Sequence, residues 1–69
     1  MTPDEAVVRV LADAEGPLHW TVIQDRALRA GYLDPFETPD VRGVVLSALR
    51  QAVADGRVTK PATGTYVLG

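Results

Sequence analysis

One histidine, one serine and no cysteine are the first constraint on chemistry in this chain. A nucleophile–base pair would have to be Ser47 with His19, and nothing in the spacing supplies a cleft around them. A single His without Cys or clustered carboxylates lacks the ligand count of a metal site, so His19 is read as packing beside the core or bonding the backbone rather than as a ligand or pH sensor. The expectation is no catalytic group, no metal and no cofactor. What remains is charge. Arg42, Arg50, Arg57 and Lys60 fall in residues 41–69 against Asp55 alone, a balance of +3, whereas residues 1–25 carry Arg9 against Asp4, Glu5, Asp13, Glu15 and Asp25, a balance of −4. A net charge of −2 therefore conceals a dipole whose basic end suits phosphate.

The elements that must position those cations follow from 69 residues, room for one domain over 1–69 with a folded radius of gyration near ~11 Å. The 46% hydrophobic content is that of a globular chain. Without cysteine there is neither disulfide framework nor zinc finger, so stability must come from helices and dense aliphatic packing. No apolar run approaches the roughly 18 residues of a membrane span, and the acidic first twenty residues do not suit a signal peptide, so the expected location is cytoplasmic, with no membrane partner. The chain ends one residue after its last predicted strand and can be part of a longer protein.

Thr2-Pro3-Asp4-Glu5 reads as a helix start, and Ala6, Val7, Val10, Leu11 and Ala14 recur at helical spacing until Gly16-Pro17 stops the element. Leu18-His19-Trp20 is a short extended segment. Thr21 with Gln24 has capping-box spacing and predicts a second helix, with Val22, Ile23, Ala27 and Leu28 turned inward and Gly31 ending it. Tyr32, Leu33 and Phe36 in the following turn are expected to plug the core. Thr38-Pro39-Asp40 predicts a third helix from Pro39 to about Asp55, burying Val41, Val44, Val45, Ala48, Leu49 and Ala52, with Leu46 and Val53 widening the arc. After Gly56 the period becomes alternating. Two strand-like runs about a Pro61-Ala62-Thr63-Gly64 turn predict a hairpin, with Val58, Tyr66 and Leu68 inward. Trp20 and Tyr66 are read as core aromatics rather than as platforms for bases.

The expected architecture is α+β, a winged helix-turn-helix: three helices with a small three-stranded antiparallel sheet made from the short strand after helix one and the C-terminal hairpin. In helix-turn-helix docking the second helix of the motif enters the major groove and the wing touches phosphate. That assigns Arg42, Ser47, Arg50 and Gln51 to the groove, and Arg57, Lys60 and Thr63 to the backbone. Arg50 or Gln51 would suit guanine or adenine edges respectively. Four cations neutralise at most about four phosphates, so binding by the isolated domain should be weak and salt-sensitive. The alternative keeps the fold and removes the DNA: those cations are solvated surface, and Gly43, Ser47 and Ala54 form a small-residue face for a protein partner or a homodimer.

Gly16-Pro17-Leu18-His19-Trp20, the helix ending at Arg29-Ala30-Gly31-Tyr32-Leu33, the Thr38-Pro39 start and the closing Gly64-Thr65-Tyr66-Val67-Leu68 resemble the HARE-HTH winged-helix domain. That family includes the N-terminal domain of the bacterial RNA polymerase delta subunit and modules of restriction endonucleases and chromatin proteins. The resemblance spans nearly the whole chain and implies a tri-helical domain with a wing. It also implies a transcription-related role, or one linking DNA-acting enzymes to nucleic acid and to one another. The chain departs from many relatives in the apolar Gly43-Val44-Val45-Leu46 start of helix three and in its short wing turn.

Overall fold

Helix α1 (Pro3–Ala12) begins as the residues dictate: Thr2 Oγ1 accepts from the Glu5 N–H at 3.2 Å, Pro3 occupies the first turn, and Asp4 and Glu5 face the positive helix end. The computed structural model describes residues 1–69, with β1 (Leu18–His19), α2 (Trp20–Arg29), α3 (Val41–Ala54), β2 (Val58–Ala62) and β3 (Thr65–Leu68) following in that order. The sheet is antiparallel in the order β1-β3-β2, so the two-residue strand after α1 joins the C-terminal hairpin as its third strand. This is the winged helix arrangement expected from the element order. The radius of gyration is 10.7 Å.

Every helix and the sheet contribute to one core. Ala6, Val7, Val10 and Leu11 of α1 meet Ile23 and Ala27 of α2, Leu33 of the connection after it, Val45, Ala48, Leu49 and Ala52 of α3, and Val58 and Tyr66 of the hairpin. No polar side chain is buried among them. Trp20, Leu28, Tyr32 and Val41 pack against this cluster while remaining half-buried. Trp20 is thus a rim residue rather than the core aromatic expected, whereas Tyr66 is buried.

Two helix starts differ from the expectation. Helix α2 begins at Trp20, and its N-cap is His19: Nδ1 accepts from the Thr21 N–H at 3.3 Å and lies 2.8 Å from Thr21 Oγ1. Thr21 is already inside the first turn, so the supposed capping box has no cap, and Gln24 Oε1 is buried without a hydrogen-bond partner. Helix α3 begins at Val41 because Asp40, not Thr38, caps it through the Gly43 N–H at 3.1 Å. A carboxylate reaches the exposed donors and carries a charge that the helix end favours.

Four apolar residues are not where hydrophobicity alone would put them, one of them Val53, exposed at the edge of the α3 arc it was expected to widen. Val22 lies on the outer side of α2, and Leu68, the last residue of β3, is 43% exposed, so the inward alternation ends at Tyr66. Phe36 is 97% exposed. The chain delivers Tyr32 and Leu33 to the core by bonding both their N–H groups to the Ala27 carbonyl, then turns away: Asp34 Oδ1 accepts from the Phe36 N–H at 2.9 Å. The hairpin also differs in detail. Pro61 and Ala62 belong to β2, leaving Thr63-Gly64 as the turn, and the pairing slips by one residue between Thr59 and Ala62. Pro61, which has no N–H to donate, sits in that irregularity on an edge strand. Gly64 takes φ 73°, and a β-carbon there would press on His19 Nε2 at 2.9 Å, so the wing turn rests directly on β1.

Candidate nucleic-acid interface

Winding at about 100° per residue sorts the polar residues of α3 into a stripe and two flanks. Ser47, Arg50 and Ala54 form the outward stripe with Gly43 at its head, and all but Gly43 are exposed. Arg42, Leu46 and Val53 run along one flank, and Gln51 lies on the other. Gln51 is tied down there, its Nε2 donating to Asp55 Oδ1 at 3.0 Å. The sequence assigned Gln51 to base edges; this geometry turns its amide toward the end of its own helix.

The four cations divide the same way. Arg57 lies 3.6 Å from Asp55, the pairing that an ordinary solvated surface predicts. Arg42, Arg50 and Lys60 take part in none of the three ion pairs. Arg42 instead lies over the Trp20 ring, 5.3 Å from its centroid, and Lys60 lies over the Tyr66 ring at 5.8 Å. Cation–π contacts of this kind at exposed sites contribute roughly 0.5–1 kcal/mol and hold a side chain in place without neutralising it. Each cation keeps its full charge for an external anion.

Arg50 and Lys60 are brought together across a shallow groove of about 360 Å³, floored by Val53, Ala54 and Tyr66. Arg42 lies about two turns toward the N-terminus of α3, on the flank beside the stripe that carries Arg50. Ser47 lies exposed between the two arginines, and Thr63 is exposed at the tip of the wing. Seven residues assigned from sequence thus resolve into Arg50 and Lys60 across one groove, Arg42 and Ser47 exposed farther along α3, a wing-tip Thr63, and two residues, Gln51 and Arg57, engaged by Asp55. The groove itself escaped sequence reasoning. Val53 reads as the edge of the buried arc, and only the hairpin register brings Lys60 over Tyr66 beside it.

Gly43 has a role other than admitting a partner backbone. A β-carbon at that position would collide with the Asp40 carboxylate that caps α3. The small-residue face proposed from Gly43, Ser47 and Ala54 is therefore reduced to Ser47 and Ala54 as freely exposed positions.

His19 and Ser47 share no hydrogen bond: the imidazole is engaged by Thr21, and Ser47 projects from α3. No three His, Cys, Asp or Glu side chains converge on a point that could hold a metal ion. No helix is long and apolar enough to cross a membrane. No family model, curated protein or solved structure matches the chain.

Proposed function

We propose that this chain is a non-catalytic, cytoplasmic winged-helix module that binds nucleic acid, most simply duplex DNA, through α3 and the wing. The observation that carries the reading is the unpaired state of Arg42 and Arg50 on α3 and of Lys60 on the adjacent wing, in a molecule whose net charge is negative. The resemblance to the HARE-HTH domain supports it, and with it a transcription-related setting or a larger DNA-acting assembly.

In this reading α3 approaches the major groove with Ser47 and Arg50 toward the bases, while Arg42 and Lys60 meet phosphate on either side. Thr63 offers a hydroxyl from the wing tip. Arg57 contributes after exchanging Asp55 for phosphate, and Gln51 after releasing the same carboxylate. With three to four phosphates neutralised, log K should fall against log salt with a slope of about −3.

Titrating a generic duplex into the isotope-labelled chain at low and at moderate salt tests the proposal. Amide shifts on α3 and the hairpin that weaken with salt are expected. Their absence at low salt overturns it. The second reading, an interaction module of the same fold with no DNA contact, is favoured by one observation, the fully solvated ring of Phe36.

A further inference from the structure

The chain has four aromatic residues, and three of them are used by the fold: Tyr66 is buried, and Trp20 and Tyr32 pack against the core. Phe36 touches almost nothing, at 97% exposed. It does not dangle. Its N–H is held by Asp34 Oδ1 at 2.9 Å, the Glu37 N–H by the Asp34 carbonyl at 3.1 Å, and Pro35 restricts the backbone between them. The ring is therefore presented on a defined turn.

Its surroundings select among partners. Between Arg29 and Arg42 the only charged side chains are Asp34, Glu37 and Asp40. An aromatic knob in a carboxylate collar is repelled by polyphosphate, so it does not belong to a nucleic-acid contact. It fits an apolar slot with a basic rim, and this molecule carries one. The groove of about 360 Å³ has Val53, Ala54 and Tyr66 as its floor and Arg50 and Lys60, neither in an ion pair, at its edges.

The knob precedes the N-terminus of α3 by five residues, and the groove lies at the C-terminal end of that helix. The helix between them has 14 residues and is about 21 Å long. When two copies set their α3 helices antiparallel across a two-fold axis near Ser47, the end of α3 that follows the knob in one copy lies beside the end that carries the groove in the other, and the contact closes on itself as an isologous pair. Ser47 is small enough to let the helices approach at that axis.

We infer that this protein self-associates as a reciprocal dimer, with Phe36 of each copy seated between Arg50 and Lys60 of the other and the Asp34 and Glu37 carboxylates meeting those cations. An aromatic ring buries about 150–250 Å². Two such contacts make an interface in the small, transient class, so association belongs at roughly 0.1–1 mM. Arg50 and Lys60 are claimed both by the collar of a second copy and by phosphate, so duplex and dimer compete, and occupying one releases the other.

Sedimentation equilibrium of the chain at low salt, up to about 1 mM, tests this. The weight-average mass is expected to climb from 7.4 kDa toward twice that value, reaching about 1.5 to 1.8 times it at 1 mM. Phe36→Ala should stay monomeric, with an unchanged melting transition in dilute solution because the ring supports nothing in the fold, and with duplex affinity that no longer falls as protein concentration rises. Glu37→Lys and Lys60→Glu should each weaken association by about two- to fivefold, and the double variant should recover it. A wild-type chain that is monomeric at 1 mM overturns the proposal, as does self-association that Phe36→Ala leaves intact or a mass that climbs past the dimer. The mass measurement contains no nucleic acid, so its failure leaves the duplex reading standing, and the failure of that reading leaves the dimer standing.

Discussion

The first two helices and the α3–wing half handle positive charge in opposite ways. In α1 and α2, Arg9 and Arg29 each reach a carboxylate one turn away, Arg9 to Asp13 at 3.4 Å and Arg29 to Asp25 at 3.0 Å, and Arg26 shares a small cleft with Asp13. Acid is in excess there, and two of the three cations are paired at helical spacing, Arg26 alone taking part in no ion pair. In the second half, Asp55 is the sole acid after Arg42; it takes Arg57 and Gln51, and the remaining three cations rest on aromatic faces or open solvent. Charge segregation of this kind does little for stability, since exposed pairs contribute roughly 0–1 kcal/mol. Its consequence is that the acidic half leaves one cation unpaired among an excess of carboxylates, whereas the α3–wing half leaves three unpaired beside a single acid.

That contrast presumes a single folded body, and the largest effect tests this first. Leu49 is fully buried on the α3 face that meets α1, and Leu49→Ala should cost about 2–5 kcal/mol through lost transfer energy and the cavity left behind. In a domain this small that is a large part of the whole stability. Thermal unfolding followed at Trp20 and by helix ellipticity should shift together. Two separated transitions would mean that the halves are independent, and the comparison would lose its basis.

The next effect is on binding. Arg50→Glu with Lys60→Glu should weaken duplex affinity by about tenfold at low salt and lower the salt slope by about 2, whereas Arg9→Glu with Arg29→Glu should do neither. Fluorescence anisotropy at several salt concentrations measures both. Equal losses from the two pairs would show that net charge, not the open flank, governs affinity.

How much of this was legible beforehand can be argued residue by residue. The Thr2 cap, the apolar stripe of α1 and the buried arc of α3 follow from spacing, and the change of period after Gly56 announces the hairpin, so the architecture was readable. The starts of α2 and α3 were not, because two cap-competent residues stand close together at each. Thr21 and Thr38 have the better-known spacing, but His19 and Asp40 are the side chains that meet the donors. Phe36 misled for a related reason: hydrophobicity argues for burial, and a local Asp34 turn decides otherwise. Among the site residues, the four cations were found by counting. Their division was not, since only the fold shows that Asp55 engages Arg57 while Lys60 crosses to Tyr66.

A smaller effect bears on the junction between the halves, the cap of α3. A glycine in a helix costs about 1 kcal/mol against alanine, so Gly43→Ala would ordinarily stabilise. Here the added methyl meets the Asp40 carboxylate, and displacing that cap costs about 1 kcal/mol in turn. Gly43→Ala alone should therefore be neutral or destabilising, and in an Asp40→Ala background it should stabilise by about 1 kcal/mol. Urea denaturation of the four proteins reads the coupling. Additivity would return Gly43 to the small-residue face.

The smallest effect separates the two halves most cleanly because it asks the same substitution to do different things. Arg29→Ala removes an exposed pair at helical spacing and should cost about 0.3–0.5 kcal/mol of stability, fading with salt, with no change in duplex affinity. Arg50→Ala removes a cation with no carboxylate partner, so stability should stay within about 0.5 kcal/mol of the parent while duplex affinity falls by about threefold and the salt slope by about 1. Both variants keep their helices, since alanine is the best helix former. If Arg50→Ala instead lost stability and kept its affinity, the open flank would be an ordinary part of the folded surface. The same cation would then have no claim on phosphate, and the reciprocal contact with Phe36 would be the one remaining use for the groove it lines.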